Sequence, residues 1–477
     1  MARIAPSSRL LILVGAGFFA AQLTLFSVHR APSWDEAVYL SQVTPGARAV
    51  FFAPSRARGI TLLVAPVTGL GGSIAAVRVF LAAASSVALV AAFLAWVRIL
   101  GSAVPLAAFL FGFTWLALFY GSEVMPNLWA GLAGVAAVGV MGPAMVGEPG
   151  RWRVPVAAFL LLLVGLVRPP DAVPVAVALL AGLLATGRAS VRTAGALGAG
   201  LVLGWCPWLV EMAVRFHGVS EAFGRGGSVA HVGIGAVAHR VFQHLALTDG
   251  PTLGPDDGVP PVGLLWWAGL VGLTAWALIS GRRGRSFVPV LVAAVAGGAA
   301  VVEYVVFVGG LAPRFLLPAY AFLSVTAGAG IRSLVASAGL RRAAGAGALV
   351  LVAAWAGWQV LTADRVERGA VLDRAAVWRV GVSIHHLATG HPCSFASSDG
   401  YPQVQLASGC LGRSAGQDAV AAARELETSA SGGEAPFLVQ RAPGAALPPG
   451  WVAVARIAGP GGSWWVISTL EGSIIGS

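Results

Sequence analysis

The sequence predicts an all-α polytopic membrane protein with a small C-terminal α/β domain, and three observations lead to that class. Hydrophobic residues make up 57% of the 477-residue chain and charged residues only 11%, too few charges to cover a soluble protein of this size. Mean hydropathy is +0.80, and apolar windows long enough to cross the hydrocarbon of a bilayer, roughly 18 to 25 residues, recur along the first three quarters of the chain. Residues 363–477 then turn more polar, with short apolar runs of alternating type. All 31 basic residues are arginine. With the excess of Ala, Val and Gly this reads as codon bias, so the net charge of +11 carries little functional weight and no nucleic-acid partner is expected.

The first apolar run, Leu10 to Val28, has the length of a full span and no small-residue cleavage pattern after it, so it reads as a retained helix. Eleven candidate spans follow from the windows: 10–28, 75–97, 103–120, 127–146, 154–168, 172–186, 193–214, 262–280, 287–309, 315–331 and 344–362. The run Gly59 to Leu70 is too short to span and contains Pro66, so it reads as a helix in the interface within a long first outer loop, 29–74. A second outer loop, 217–261, holds a helical stretch near Ala236 to Leu247 and turns from Thr248 to Pro261. In the tail, Phe437 to Gln440, Val452 to Ile457 and Trp464 to Ile467 read as strands, and Asp418 to Thr428 as a helix. The domains are thus 1–362 in the membrane and 363–477 outside it. No internal repeat is evident, which counts against the duplicated halves of many transporters.

The arginines test the span count. With the N-terminus in the cytoplasm, the inner segments carry thirteen arginines against the single acid Glu148, whereas the outer side up to residue 362 carries ten arginines and ten acids. One miscounted span in the middle would swap every later loop and erase this asymmetry. The reading is a multi-pass plasma-membrane protein with its N-terminus inside and its C-terminal domain outside.

Polar residues collect at the outer ends of the spans. Asp35 and Glu36, in Trp34-Asp-Glu-Ala-Val-Tyr39, can supply a general base or a metal ligand, or simply open a solvated helix. Glu123, Arg168 with Asp171, Glu211, Glu303 and Arg314 fall on the same side; a structural ion pair accounts equally well for Arg168 and Asp171. Together they suggest an outward-facing polar cavity. Cys393 and Cys410 lie outside the membrane, in an oxidising compartment, and flank a strand, turn and short helix that a disulfide would staple. Cys206, inside a span, reads as a packed apolar residue.

Taken in order, the Trp34–Tyr39 signature, a basic residue before an interfacial helix (Arg56 or Arg58), Ala-Ala-Val-Arg78 at the second span and Pro313-Arg-Phe-Leu-Leu-Pro-Ala-Tyr320 resemble the GT-C glycosyltransferases. The branch is that of the protein O-mannosyltransferases and the lipid A aminoarabinose transferase, and the likeness covers about residues 10–330. It implies transfer of a sugar from a polyprenyl-phosphate donor to an envelope glycan, lipid or protein on the outer face, with inversion. Asp35 would be the base, Glu36 its orienting neighbour or a metal ligand, and Glu123 the second acid. Arg56, Arg58 and Arg314 would bind the donor phosphate, with lipid-headgroup anchoring as the other reading of these arginines. One departure stands out: where some relatives have an acid and a lysine, this chain has Ser55-Arg-Ala-Arg58. A divalent metal is therefore left open, with His239 and His244 as weak ligands whose spacing of five suits a surface role equally well. The alternatives are a lipid or small-anion transporter or flippase and a non-catalytic envelope assembly protein.

Overall fold

The computed structural model describes residues 6–226, 237, 239–241, 243, 261–308, 311–337, 341–388, 390–415, 419–430, 434–441, 450–460, 462–469 and 475–476. His244 and most of the second outer loop lie outside the described residues. The chain divides into two compact units, one of Met1–Phe26, Ala53–Ile60 and Val79–Val366, the other of Ser27–Phe52, Thr61–Arg78 and Glu367–Ser477. The second unit thus joins the tail to most of 29–74, which the sequence alone assigns to the membrane domain.

In chain order the helices are α1 (Pro6–Leu25), α2 (Trp34–Ser41), α3 (Gly59–Gly69), α4 (Ile74–Leu94), α5 (Val97–Leu100), α6 (Ala103–Gly112), α7 (Trp115–Gly121), α8 (Asn127–Met145), α9 (Arg153–Val167), α10 (Pro169–Ala185), α11 (Val191–Phe216) and α12 (Val219–Gly226). They continue with α13 (Pro261–Gly281), α14 (Phe287–Val302), α15 (Leu317–Ser337) and α16 (Arg341–Ala388). A π-helical turn, Glu303–Phe307, follows α14, and a 3-10 turn, Pro313–Leu316, precedes α15. Among the described residues six helices are long and apolar enough to cross a membrane, or seven with the bent pair α6 and α7, and shorter apolar helices fill 153–167, 169–185 and 265–281. The chain is a multi-pass membrane protein.

Two details depart from the sequence reading. The run 103–120 is not one straight span but two helices meeting at 71°. Thr114 breaks it: its backbone is extended and its Oγ1 accepts from the Ala117 amide at 3.1 Å, capping a new helix. Cys206 is exposed on α11 rather than packed.

In the first unit α8 is almost wholly buried and packs on α9, α10, α14 and α15. Small residues let the helices approach closely: a Cβ on Gly200 or Gly204 of α11 would come within 2.5 Å of a backbone oxygen of α9. Buried polar side chains pair across helices, as Thr274 does with Thr326 at 2.6 Å.

The second unit contains a six-stranded sheet of order β2-β1-β3-β5-β4-β6, with β1 (Cys393–Ser397), β2 (Leu411–Ser414), β3 (Ala435–Gln440), β4 (Val452–Gly459), β5 (Gly462–Ser468) and β6 (Ile475–Gly476). Between the strands lie α17 (Tyr401–Ser408) and α18 (Ala419–Ala430). β1 runs parallel to β2 and β3, while β5 is antiparallel to β3 and β4. Period-two alternation sorts the side chains onto two faces. Phe395, Phe437, Val439 and Val466 pack with Ala376, Val380 and Ile384 of α16, whereas Ala396, Leu438 and Ile467 pack with Ala423 and Leu426 of α18. A disulfide joins Cys393 to Cys410, tying the start of β1 to the residue before β2.

Candidate functional site

The acid pair lies on α2 in the second unit. Ser33 caps this helix: its Oγ accepts from the Glu36 amide at 3.3 Å, and Glu36 Oε2 accepts from the Ser33 amide at 2.9 Å. This reciprocal capping box starts an eight-residue helix that is too short to persist alone. The same carboxylate is gripped twice more. Arg78 of α4 donates from Nη1 to Oε1 and from Nη2 to Oε2, both at 3.1 Å, and Arg374 of α16 donates to Oε2 at 3.4 Å. Arg78 also donates to the Arg30 carbonyl, and the Arg30 guanidinium pairs with Glu367.

Burial pushes the Glu36 carboxyl up, but Arg78, Arg374, the Ser33 amide and Arg30 outweigh it and hold the group at about 2. A carboxylate so acidic is a poor proton acceptor near neutral pH. A divalent cation would need the lone pairs that the guanidiniums already occupy, so this residue does not fit a metal either. What Glu36 can do is fix α2, and with it the half-buried Asp35 one residue earlier. Helix α17 packs on α2. Tyr401 meets the Trp34 ring edge-on at 5.1 Å, and Gln403, with its amide turned to satisfy both neighbours, accepts from the Trp34 amide and donates to the Gly400 carbonyl, each at 3.2 Å.

Three polar groups in the first unit contain residues singled out in the sequence. Arg58 donates from Nε and Nη2 to the two oxygens of Glu211 at 3.0 and 2.6 Å, and Arg215 donates to Glu211 at 2.6 Å. A phosphate would compete with Glu211 for the Arg58 fork. Arg56, half-buried, lies two residues away. Glu123 is fully buried in the turn between α7 and α8, and buried Asn127, at the start of α8, has neither amide atom hydrogen-bonded. The third group joins Arg168, Asp171 and Tyr304: Arg168 Nη2 donates to the Tyr304 hydroxyl at 2.5 Å, which donates to Asp171 Oδ1 at 2.7 Å. Phe315 stacks on Tyr304 at 5.3 Å and lies 5.2 Å from the Arg314 guanidinium. The turn bearing Arg314 packs on α7 and α8, the helices that flank Glu123.

His239 is exposed, and among the described residues no three His, Cys, Asp or Glu side chains come together as a metal would require. Asp35 and Glu36 were visible in the sequence as adjacent acids, and the Arg168–Asp171 ion pair is present at 3.6 Å. The sequence did not show that Arg78 and Arg374 serve Glu36, because those partners are 42 and 338 residues away. The i,i+4 spacing of Glu211 and Arg215 was a readable signal; Tyr304 left none.

No protein-family model matches the chain, and neither does any curated protein. Among solved structures it is similar to ArnT from Cupriavidus metallidurans. The apo state shows 14% identity and a TM-score of 0.64 over 96% of this chain and 97% of that one. ArnT bound to undecaprenyl phosphate gives 14% and 0.63, over 96% and 98%. The Archaeoglobus fulgidus oligosaccharyltransferase, in complex with Zn and sulfate, gives 12% and 0.55, over 84% of this chain and 62% of that one. The chain therefore shares the fold of these structures.

Proposed function

We propose that the protein is a membrane glycosyltransferase that moves a sugar from a polyprenyl-phosphate donor to an envelope glycan, lipid or protein on the extracytoplasmic face of the plasma membrane. The observation that carries this reading is the construction of α2, where the Ser33 capping box and the guanidiniums of Arg78 and Arg374 fix Glu36 and so hold Asp35, one residue earlier, in a set position on the helix. Support comes from the GT-C fold and from the structural neighbour whose bound ligand is undecaprenyl phosphate.

In the reaction, Asp35 takes the proton of the acceptor hydroxyl as its oxygen attacks the anomeric carbon. The bond from that carbon to the phosphate oxygen breaks, the lipid phosphate leaves with the electron pair, and the configuration inverts. The negative charge on the leaving phosphate calls for cations, a task suited to the planar forks of Arg56, Arg58 and Arg314. Glu36 acts as a positioning residue, and Glu123 is the second acid by resemblance. No step is assigned to a metal.

The test is Asp35→Asn in the purified full-length protein, assayed with a polyprenyl-phosphate sugar and envelope acceptors. Loss of the base should lower kcat by about 10²- to 10⁴-fold while the protein remains folded. Full transfer by the variant would remove Asp35 from the chemistry, and absence of transfer by the wild type with every donor would favour the transporter or scaffold readings.

A further inference from the structure

A cavity of about 450 Å³ opens in the first unit where α8 and α10 end and α9 and α11 begin. It is remote from the turn that holds Glu123: Met141, which lines the cavity, lies fourteen residues along α8 from Asn127, or about 21 Å at helical rise. Met141, Ala144, Val154 and Leu183 give it apolar walls, and Arg153 and Arg188 give it two guanidiniums.

Among the described residues neither arginine forms a close ion pair, although the Glu148 carboxylate and the Arg98 guanidinium both act on Arg153 through space. Arg153 donates from Nη1 to the Val140 carbonyl at 3.1 Å, and its Nε is buried without an acceptor. Arg188 donates from Nη1 to the Thr186 carbonyl at 3.0 Å. The nearby acid, Glu148, is held by Arg285 at 2.8 Å. The connecting loop is shaped around the two guanidiniums: a Cβ at Gly147, whose φ is 90°, would lie 3.0 Å from Arg188 Nη2, and one at Gly150 would lie 3.0 Å from Arg153 Nε. Arg153 is also the first residue of α9, and Thr193, in the first turn of α11, lines the cavity, so two positive helix ends add to the field.

The geometry points to a binding site for the phosphodiester headgroup of an anionic phospholipid, gripped by Arg153 and Arg188 with its first acyl carbons against the apolar wall. Free phosphate shares the anionic chemistry but has no use for that wall. Basic pockets between membrane helices take such headgroups, and the volume lies in the range of small-molecule sites. This site is independent of the transfer reaction.

The test uses the full-length protein in detergent with added phosphatidylglycerol, phosphatidylcholine or inorganic phosphate, read by native mass spectrometry and by thermal unfolding. Phosphatidylglycerol should be retained in preference to phosphatidylcholine and should raise the unfolding midpoint. Arg188→Gln, at an exposed position, should weaken retention by roughly tenfold, as loss of a charged hydrogen bond does. Arg153→Gln/Arg188→Gln should abolish the preference, whereas the corresponding lysine pair keeps part of it. Arg282→Gln/Arg283→Gln, exposed and outside the cavity, should leave it intact. Equal retention of the two lipids, an undiminished preference in the glutamine variants, or equal loss in the control pair would overturn the site. Full stabilisation by inorganic phosphate alone would overturn the lipid assignment.

Discussion

At the residue scale, Glu36 shows how a charge survives burial. Its side chain is 1% exposed and that of its partner Arg78 2%. Desolvating such a pair is costly, and what keeps it folded is that every oxygen has donors. Removing one member strands the other, so Glu36→Gln should destabilise the protein by about 3–5 kcal/mol, measured as denaturant unfolding in detergent. The sign of the pH effect follows. The folded carboxyl titrates near 2 and the free one near 4.5, so its contribution is complete above 4.5 and is lost as pH falls toward 2. Wild-type unfolding midpoints should decline through that window more steeply than those of Glu36→Gln; parallel curves would contradict the ion-pair account. The acid pair itself was legible as two adjacent carboxylates after a span. Its counter-charges were not, because pairing across such sequence distance is a property of the folded chain.

At the element scale, the tail was read more fully than the spans. Strands around 437–440, 452–457 and 464–467 and the helix after 418 are all present, since period-two runs between turn residues carry their own signature. The break at Thr114 was hidden because hydropathy records how apolar a segment is and not the direction of its axis. Helix α16 likewise runs on to Ala388, past the point where composition turns polar, because Ala376, Val380 and Ile384 find a sheet to cover. The disulfide between Cys393 and Cys410 closes a loop of sequence separation 17. The chain-entropy relation gives about 3 kcal/mol for a loop of this size, so Cys393→Ser/Cys410→Ser should lose roughly that much in unfolding of the sheet unit. An unchanged value would mean the bridge adds nothing to a β1-α17-β2 crossover already held by packing.

At the scale of the whole molecule, composition fixed the membrane class, and the order of weak motifs pointed to the GT-C fold. The division into units was out of reach, because each of them is assembled from three separated stretches of chain. Orientation is a prediction of the arginine count. In a Cys206→Ser background, Ala49→Cys should react with a membrane-impermeant maleimide in intact spheroplasts, and Arg283→Cys should react only after permeabilisation. The opposite pattern would invert the topology and remove the extracytoplasmic reaction.

The contacts of Arg374 with Glu36 and of Glu367 with Arg30 also set a timetable for biogenesis. Translation proceeds at about 5–20 residues per second, so the 338 residues between Glu36 and Arg374 take roughly 17 to 70 seconds to synthesise. Until then the nascent loop carries a carboxylate whose full set of counter-ions has not left the ribosome. Helix α2 therefore gains its last counter-charge only once α16 has been made, and a chain that stalls before its final quarter leaves that helix without it.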